Sequence, residues 1–386
     1  MAEDKRTYRI FLSAAEHSAD SHCAGLINAL KKTPYIFEFV GVGGEKMAQA
    51  GCQLLEKTTD KSAMIHKAFG QVIRFIRLIF LIKSYFKKNK VDLAIVCDSP
   101  AFNFHVAKTA KKAGAKTLFY VAPQLWAWAP WRMKKLKNCC DKLCCILPFE
   151  QDWFTQRGLE TEFVGNPLFD DLDFDLGVCV KTYEDFNPKN AHIALMPGSR
   201  QAEIATLWKP MQKIAVDLKR KYPQITITAV AADENKKRIL QASHLLGFRC
   251  QYEIGSVTET AKKADFALVA SGSATLQVAS AGCPMVIMYQ SNKYLWHLVG
   301  RWLVNTKYLS LVNILSQKEL LPEFMPYFNS TEPIYTAVHN LLTEKTSLEK
   351  LSSDLIEIVR PLTVKNAGKE VAKTVIEMLK STTEIT

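Results

Sequence analysis

No stretch of about 18 uncharged apolar residues occurs in this 386-residue chain, so no membrane-crossing helix is expected. The opening residues, MAEDKRTYRIFL, lack the apolar core of a secretory signal. No short-period repeat is present, which sets aside solenoids and propellers. The ten cysteines do not form the two matched pairs that a structural zinc site needs. They are expected to be reduced thiols, with Cys139, Cys140, Cys144 and Cys145 as small buried hydrophobes. The acidic run 170–175 is read as the start of an interdomain linker and not as a carboxylate metal site. Neither a metal nor a cofactor is therefore expected. Acid is locally missing as well: no Asp or Glu lies between Lys61 and Val91.

What is present suits a globular protein of two domains. Apolar residues make up 48% and charged residues 23%. The formal net charge of +12 implies an anionic partner: nucleic acid, an acidic lipid surface or a phosphorylated substrate. Short apolar runs at 8–12, 37–42, 93–97, 117–121, 143–147 and 162–164 alternate with helical patterns. A second series follows at 193–196, 225–230, 266–270 and 285–288. Such alternation predicts parallel, doubly wound sheets. The expected divisions are 7–170, 190–345 and a helical tail, 346–386, folding back on the first domain or a partner subunit. Ligands of such sheets sit beyond the carboxyl ends of the strands. The loops carrying Glu16, Asp98 and residues 123–128 lie at that edge.

In the second half, IALMPGSRQAE (193–203) reads as a buried strand, a small-residue turn and a helix start. A turn of this kind aims backbone N–H groups and a positive dipole end at an anion, and Arg200 adds a cationic fork. An ordinary βα loop with a solvated arginine would look similar. A second such turn at 270–274, ASGSA, favours a diphosphate site. In the first half, Val72, Phe75, Ile76, Ile79 and Phe86 recur at helical spacing, and Phe69, Ile73 and Phe80 make another apolar face. With only cations beside them, residues 64–86 fit a membrane-surface helix; the competing reading is a core helix with a basic edge. A diphosphate turn in one domain and carboxylates in the other suit a nucleotide-sugar enzyme.

The segments AEHSADSHCAGLINAL, VGVGGEKMAQAGC, DSPAFNFHVAK, YVAPQLWAW, ILPFE, FVGNPL, LMPGSRQAEI, LVASGSATLQVASAGCPMVIMY and YLSLVNILSQKELLPE stand in the order and spacing of a known family. Through them nearly the whole chain resembles the lipid A disaccharide synthases, inverting glycosyltransferases of the GT-B type. The resemblance implies two Rossmann-like domains facing across a cleft. It implies condensation of UDP-2,3-diacylglucosamine with 2,3-diacylglucosamine 1-phosphate, giving a β-1,6-linked disaccharide 1-phosphate and UDP. It implies no nucleic acid partner, a possible homodimer, and a cytoplasmic enzyme peripheral on the inner membrane, bound through Val72, Phe75, Ile76, Ile79 and Phe80. Asp98 matches the general base and Glu16 the acidic residue of the first loop. Gly198, Ser199, Arg200, Ser271, Gly272, Ser273, Ala274, Gln277 and Asn313 match the UDP side. The chain departs from the family pattern at Ala19, Ala101, Asn166, Gln277 and Pro326. A UDP-N-acetylglucosamine 2-epimerase on the same scaffold, or a diverged binder of UDP or lipid without turnover, is the alternative.

Overall fold

The structure, a computed structural model, describes residues 6–58, 68–170, 175–293, 296–300 and 304–383. Two units divide at Asp170/Asp171 and again at Pro361/Leu362. The first holds seven parallel strands: β1 (Thr7–Ala14), β2 (Ile36–Gly43), β3 (Gln53–Lys57), β4 (Leu93–Cys97), β5 (Lys116–Tyr120), β6 (Lys142–Cys145) and β7 (Thr161–Phe163). Their order across the sheet is β3-β2-β1-β4-β5-β6-β7. The second unit has β8 (His192–Met196), β9 (Thr226–Ala231), β10 (Gln251–Ile254), β11 (Phe266–Ala270), β12 (Met285–Met288) and β13 (Glu323–Phe324). Their order is β10-β9-β8-β11-β12-β13, again all parallel.

Central strands such as LAIVC (β4) and FALVA (β11) are buried at every position. They read as continuous apolar runs because helices cover both sheet faces. The strands absent from the sequence reading are β3, β10 and β13. β3 and β10 carry partly exposed residues at sheet edges, and β13 is two residues long, so none has an apolar run to betray it.

The chain's end is shared between the units. Helix Lys345–Thr363 lies almost wholly in the second, where Ser352 Oγ accepts the Lys181 N–H (2.7 Å) and Glu349 Oε1 accepts the Tyr183 N–H (3.0 Å). Helix Ala367–Thr383 joins the first, packing Val371, Val375 and Leu379 into one core with Cys23, Leu26, Ile27 and Leu30 of helix His17–Lys31. Nine of the ten cysteines are buried, and all are free. Burial pushes the Cys139 thiol up to about 11 and the Cys52 thiol up to about 12, as in inert packing residues.

Helix Ala68–Lys88 has two unlike faces. Leu78, Ile79, Ile82 and Phe86 are buried, with Phe86 against Phe11 at 4.9 Å between ring centroids. Phe75 is half-buried, edge-on to Phe102 (5.5 Å) and His105 (5.7 Å). Ile73, Ile76 and Phe80 face outward, Ile76 at 48% and Phe80 at 65% exposure. Ile79, expected on the lipid side, is instead a core residue at 9%. The heptad-like spacing could not say which of two apolar faces meets the sheet. Residues 64–67 and the Val72 side chain lie outside what the structure describes.

The acidic run at 170–175 has local work at its two described ends. Asp175 Oδ1 accepts the Gly177 N–H at 2.8 Å. Asp170 caps the last helix, Oδ1 taking the Ala367 N–H at 2.6 Å and Oδ2 the Gly368 N–H at 2.9 Å. Losing a helix cap costs about 1–2 kcal/mol. Asp170→Ala should therefore lower the unfolding free energy obtained from urea melts by about 1–2 kcal/mol and speed amide exchange along 367–383. Unaltered exchange there would show that the helix is held by packing alone.

Candidate active site

In each sheet one central strand has neighbours that run away in both directions. β1 pairs with β2 on one side and β4 on the other, with Ala14 opposite Cys97. β8 pairs with β9 and β11, with Met196 opposite Val269. At such a reversal the crossover helices leave on opposite faces, so the loops past the strand ends stay uncovered. The loops found there are those of Glu16 and Asp98 in the first unit, and of residues 197–200 and 271–274 in the second.

The first-unit loops are tied together. Ser99 Oγ donates to Glu16 Oε1 at 3.4 Å. Glu16 is exposed and Asp98 half-buried. Asp98 (φ 52°), Ser99 (φ 44°) and Val121 (φ 66°) all have left-handed backbone, at the adjacent ends of β4 and β5. Such conformations cost about 1–3 kcal/mol each and persist only where surrounding structure imposes them. What imposes this one is visible. Buried Asn103 donates from Nδ2 to the carbonyls of Cys97 (2.9 Å) and Asp98 (2.7 Å), while its Oδ1 accepts from Ser13 Oγ (2.7 Å). The Asp98 N–H donates to the Tyr120 carbonyl at 3.1 Å. Asp98 is thus fixed from three neighbouring elements. His22 is half-buried, and desolvation together with the Lys46 charge pulls it down to about 4, so its ring is neutral at pH 7.

Next to these loops, Asp20 is buried and accepts the N–H groups of Gly44 (2.8 Å), Lys46 (3.1 Å) and Met47 (3.1 Å). It caps the short helix Glu45–Gln49 that follows β2. Of the three tryptophans 126, 128 and 131, only Trp126 is buried; Trp128 and Trp131 are exposed. Trp126 Nε1 donates to Glu150 Oε1 at 2.9 Å, and Glu150 Oε2 accepts the Leu147 N–H at 3.1 Å. Glu150 is buried, and burial raises it to about 7 against the pull of those donors. Asn166 is a local cap: its Oδ1 accepts the Leu168 N–H at 3.1 Å.

In the second unit the Gly198 turn has φ +98° and leads into helix Gln201–Lys221. Its amides are not open to an incoming anion. Glu203 Oε2 accepts the N–H groups of both Ser199 and Arg200, each at 3.1 Å. The Arg200 side chain is 74% exposed, with Nη1 3.3 Å from Glu203 Oε1. The sequence reading missed Glu203, although a Glu at the third helical position is the usual sign of a reciprocal cap. The other turn is more open. Gly272 and Ser273 are exposed, a Cβ on Gly272 would meet nothing within 4 Å, and Ser271 and Ala274 are half-buried. Thr275 Oγ1 braces it by donating to the Gly272 carbonyl at 2.7 Å. Gln277 is half-buried one turn into helix Ala274–Ser280.

Asn313 differs from its expected part. It is fully buried, and Oδ1 accepts the N–H groups of Leu320 and Leu321, both at 3.0 Å. Nδ2 donates to the Leu321 carbonyl (2.8 Å) and to Glu323 Oε2 (3.0 Å). Four bonds use the whole amide, leaving nothing for a nucleotide. Asn313 shapes the turn into β13 and holds Glu323, which also accepts the Leu309 N–H (2.9 Å) and Ser310 N–H (3.0 Å).

Among solved structures, the UDP-GlcNAc 2-epimerase from Neisseria meningitidis bound to UDP-GlcNAc superposes with a TM-score of 0.60 at 12% identity, over 96% of this chain and 100% of that one. The calicheamicin glycosyltransferase CalG4 gives 0.61 at 12%, over 97% and 99%. Two Rossmann-like units with bare loops at each strand reversal therefore define a fold of the GT-B type. The sequence narrows this further. The lipid-A-disaccharide synthetase family profile matches residues 10–375. The lipid-A-disaccharide synthase of Geobacter sulfurreducens is 29% identical over 97% of this chain and 98% of its own. The chain belongs to the lipid-A-disaccharide synthetase family.

Glu150 yields a test of the Trp126 anchor. Its pKa is about 7 in the fold against an ordinary 4.5. The folded state therefore holds a proton that the unfolded chain has lost, and stability falls as pH rises from about 4.5 to about 7, by a few kcal/mol at most. Glu150→Gln lacks that titration. The parent's stability advantage over the variant should shrink between pH 5 and pH 8 in denaturant melts; a constant difference would mean that Glu150 stays ionised throughout.

Proposed function

We propose that the chain joins UDP-2,3-diacylglucosamine to 2,3-diacylglucosamine 1-phosphate, making the β-1,6-linked disaccharide 1-phosphate and releasing UDP. The observation that carries this reading is the pairing of family membership over almost the whole chain with a strained, clamped Asp98 beside Glu16 at a strand reversal. A primary hydroxyl is not acidic enough to ionise at pH 7, so a base must take its proton as it attacks. Asp98 is that base. The acceptor's O6 attacks the anomeric carbon from the face opposite the diphosphate, the O6–C1 bond forms as the bond from C1 to the phosphate oxygen breaks, and the electron pair leaves on UDP. One displacement inverts the anomeric centre. Arg200 and the open turn 271–274 meet the charge that develops on the diphosphate. Glu16 sets the Ser99 side of the Asp98 loop. The epimerase alternative rests on a likeness of fold alone.

Asp98→Asn should lower kcat by about 10²–10⁴-fold, the usual cost of losing a general base, while UDP affinity measured by calorimetry stays level. The residual product should remain β-linked by NMR coupling constants. Near-normal turnover in this variant would remove Asp98 from the role and make Glu16 the next residue to change.

We also infer that the enzyme works on an anionic lipid surface, as its acylated substrates require, on the cytoplasmic face of the inner membrane. Among the described residues no helix is long and apolar enough to cross a bilayer. Ile73, Ile76 and Phe80 form an exposed apolar stripe, with Lys83 Nζ 5.6 Å from the Phe80 ring centroid. Exposed Trp128 and Trp131 sit beside Arg132, Lys134 and Lys135. Apolar side chains flanked by cations suit the headgroup boundary. The triple change Ile73→Ser, Ile76→Ser and Phe80→Ser should cut co-sedimentation with phosphatidylglycerol-containing vesicles and leave UDP affinity unaltered. High salt should weaken the parent's binding only in part, since screening acts on charge and not on apolar burial. Equal co-sedimentation of variant and parent would rule this face out.

A further inference from the structure

The anion-seeking end of helix Gln201–Lys221 is occupied by the protein's own carboxylate. Glu203 is 11% exposed, and its Oε2 takes the two N–H groups, of Ser199 and Arg200, that the turn would otherwise present to a phosphate. The turn is cut to hold it there. A Cβ at Gly198 would lie 2.3 Å from Glu203 Oε2 and 2.9 Å from its Cβ, so glycine leaves the room the carboxylate needs. Backbone φ of +98° at Gly198 demands the same residue. Glu203 Oε1 also faces the exposed Arg200 guanidinium at 3.3 Å. An exposed ion pair is weak, whereas two backbone N–H groups converge on the other carboxylate oxygen, each at 3.1 Å. The carboxylate is thus held by the backbone at one oxygen and faces the exposed Arg200 guanidinium with the other.

We infer that Glu203 is a positioning residue that keeps a negative charge beside the diphosphate and so loosens the enzyme's hold on UDP. This rests on the reading that the diphosphate of UDP lies against Arg200 and the turn 271–274. A neutral glutamine could cap a helix start as well as glutamate does. The carboxylate adds repulsion of any phosphate close by and a competing claim on Arg200. Both effects weaken the hold on any ligand at its diphosphate, including the UDP that must leave before the next turnover.

The test compares full-length parent and Glu203→Gln by calorimetry with UDP and with uridine. UDP should bind the variant about 5- to 50-fold more tightly, the range for removing one nearby like charge at intermediate dielectric. Uridine, which has no phosphate, should bind both equally. A variant that binds UDP no more tightly overturns the inference and leaves Glu203 as a helix cap; so does a loss of affinity for both ligands, which marks a structural effect. A parent that fails to bind UDP overturns the proposed function itself, and this inference with it. If Glu203→Gln does not fold, Arg200→Ala supplies the second reading. Its site is left with the carboxylate unbalanced, so UDP affinity should fall less with added salt than in the parent, or rise. A salt dependence as steep as the parent's would overturn the inference.

Discussion

Parallel strands can be joined only by long crossovers, and at one place in each sheet the crossovers must turn from one face to the other. That constraint leaves two bare loops above β1 and β4, and two above β8 and β11. Every group with a plausible part in the chemistry is found on these loops or is fastened to them. The rest of each unit is the apolar packing that keeps four strand ends in register, with Ile10, Leu12, Ile95, Leu195 and Leu268 all fully buried.

Bare loops of this kind have unsatisfied backbone groups and strained dihedrals, and the molecule meets both with polar side chains that are buried or half-buried. Asn103 holds the carbonyls of Cys97 and Asp98; Asp20 holds three N–H groups after β2; Glu203 holds two before helix Gln201–Lys221; Asn313 holds two N–H groups and a carbonyl before β13. Each side chain is expensive to desolvate, and each offsets that by completing bonds that would otherwise be missing. The outcome is that a few groups, Asp98 and Arg200 foremost, stand on rigid supports. Asp98, the proposed base, is locked by its backbone, while the exposed Arg200 side chain extends from a turn that Glu203 braces.

Helix Ala68–Lys88 follows a different logic. One of its faces is spent on Phe11 and the sheet, and among the described residues the cations around the other pair with an acid at Arg74 alone, which reaches back to Glu56 at 3.6 Å. A face with Ile73, Ile76 and Phe80 in water is unfavourable for a solitary globule and suits an acylated environment.

The amino-acid sequence alone was enough for the alternation of strands and helices, the class of sheet, the loops bearing Glu16, Asp98, Arg200 and residues 271–274, and the family. These are local: apolar runs, small-residue turns and motif order are written within a few positions of one another. Tertiary structure decided what depends on partners distant in the chain. Asn313 looked like a ligand group until Leu320, Leu321 and Glu323 closed around its amide. Ile79 and Ile76 are indistinguishable by spacing, and only the position of Phe11 and its sheet puts one in the core and the other in water. The turn at Gly198 reads as an open anion cradle in sequence, yet its amides belong to Glu203. Periodicity and propensity are properties of a segment, whereas burial and hydrogen-bond satisfaction are properties of what the fold brings against it.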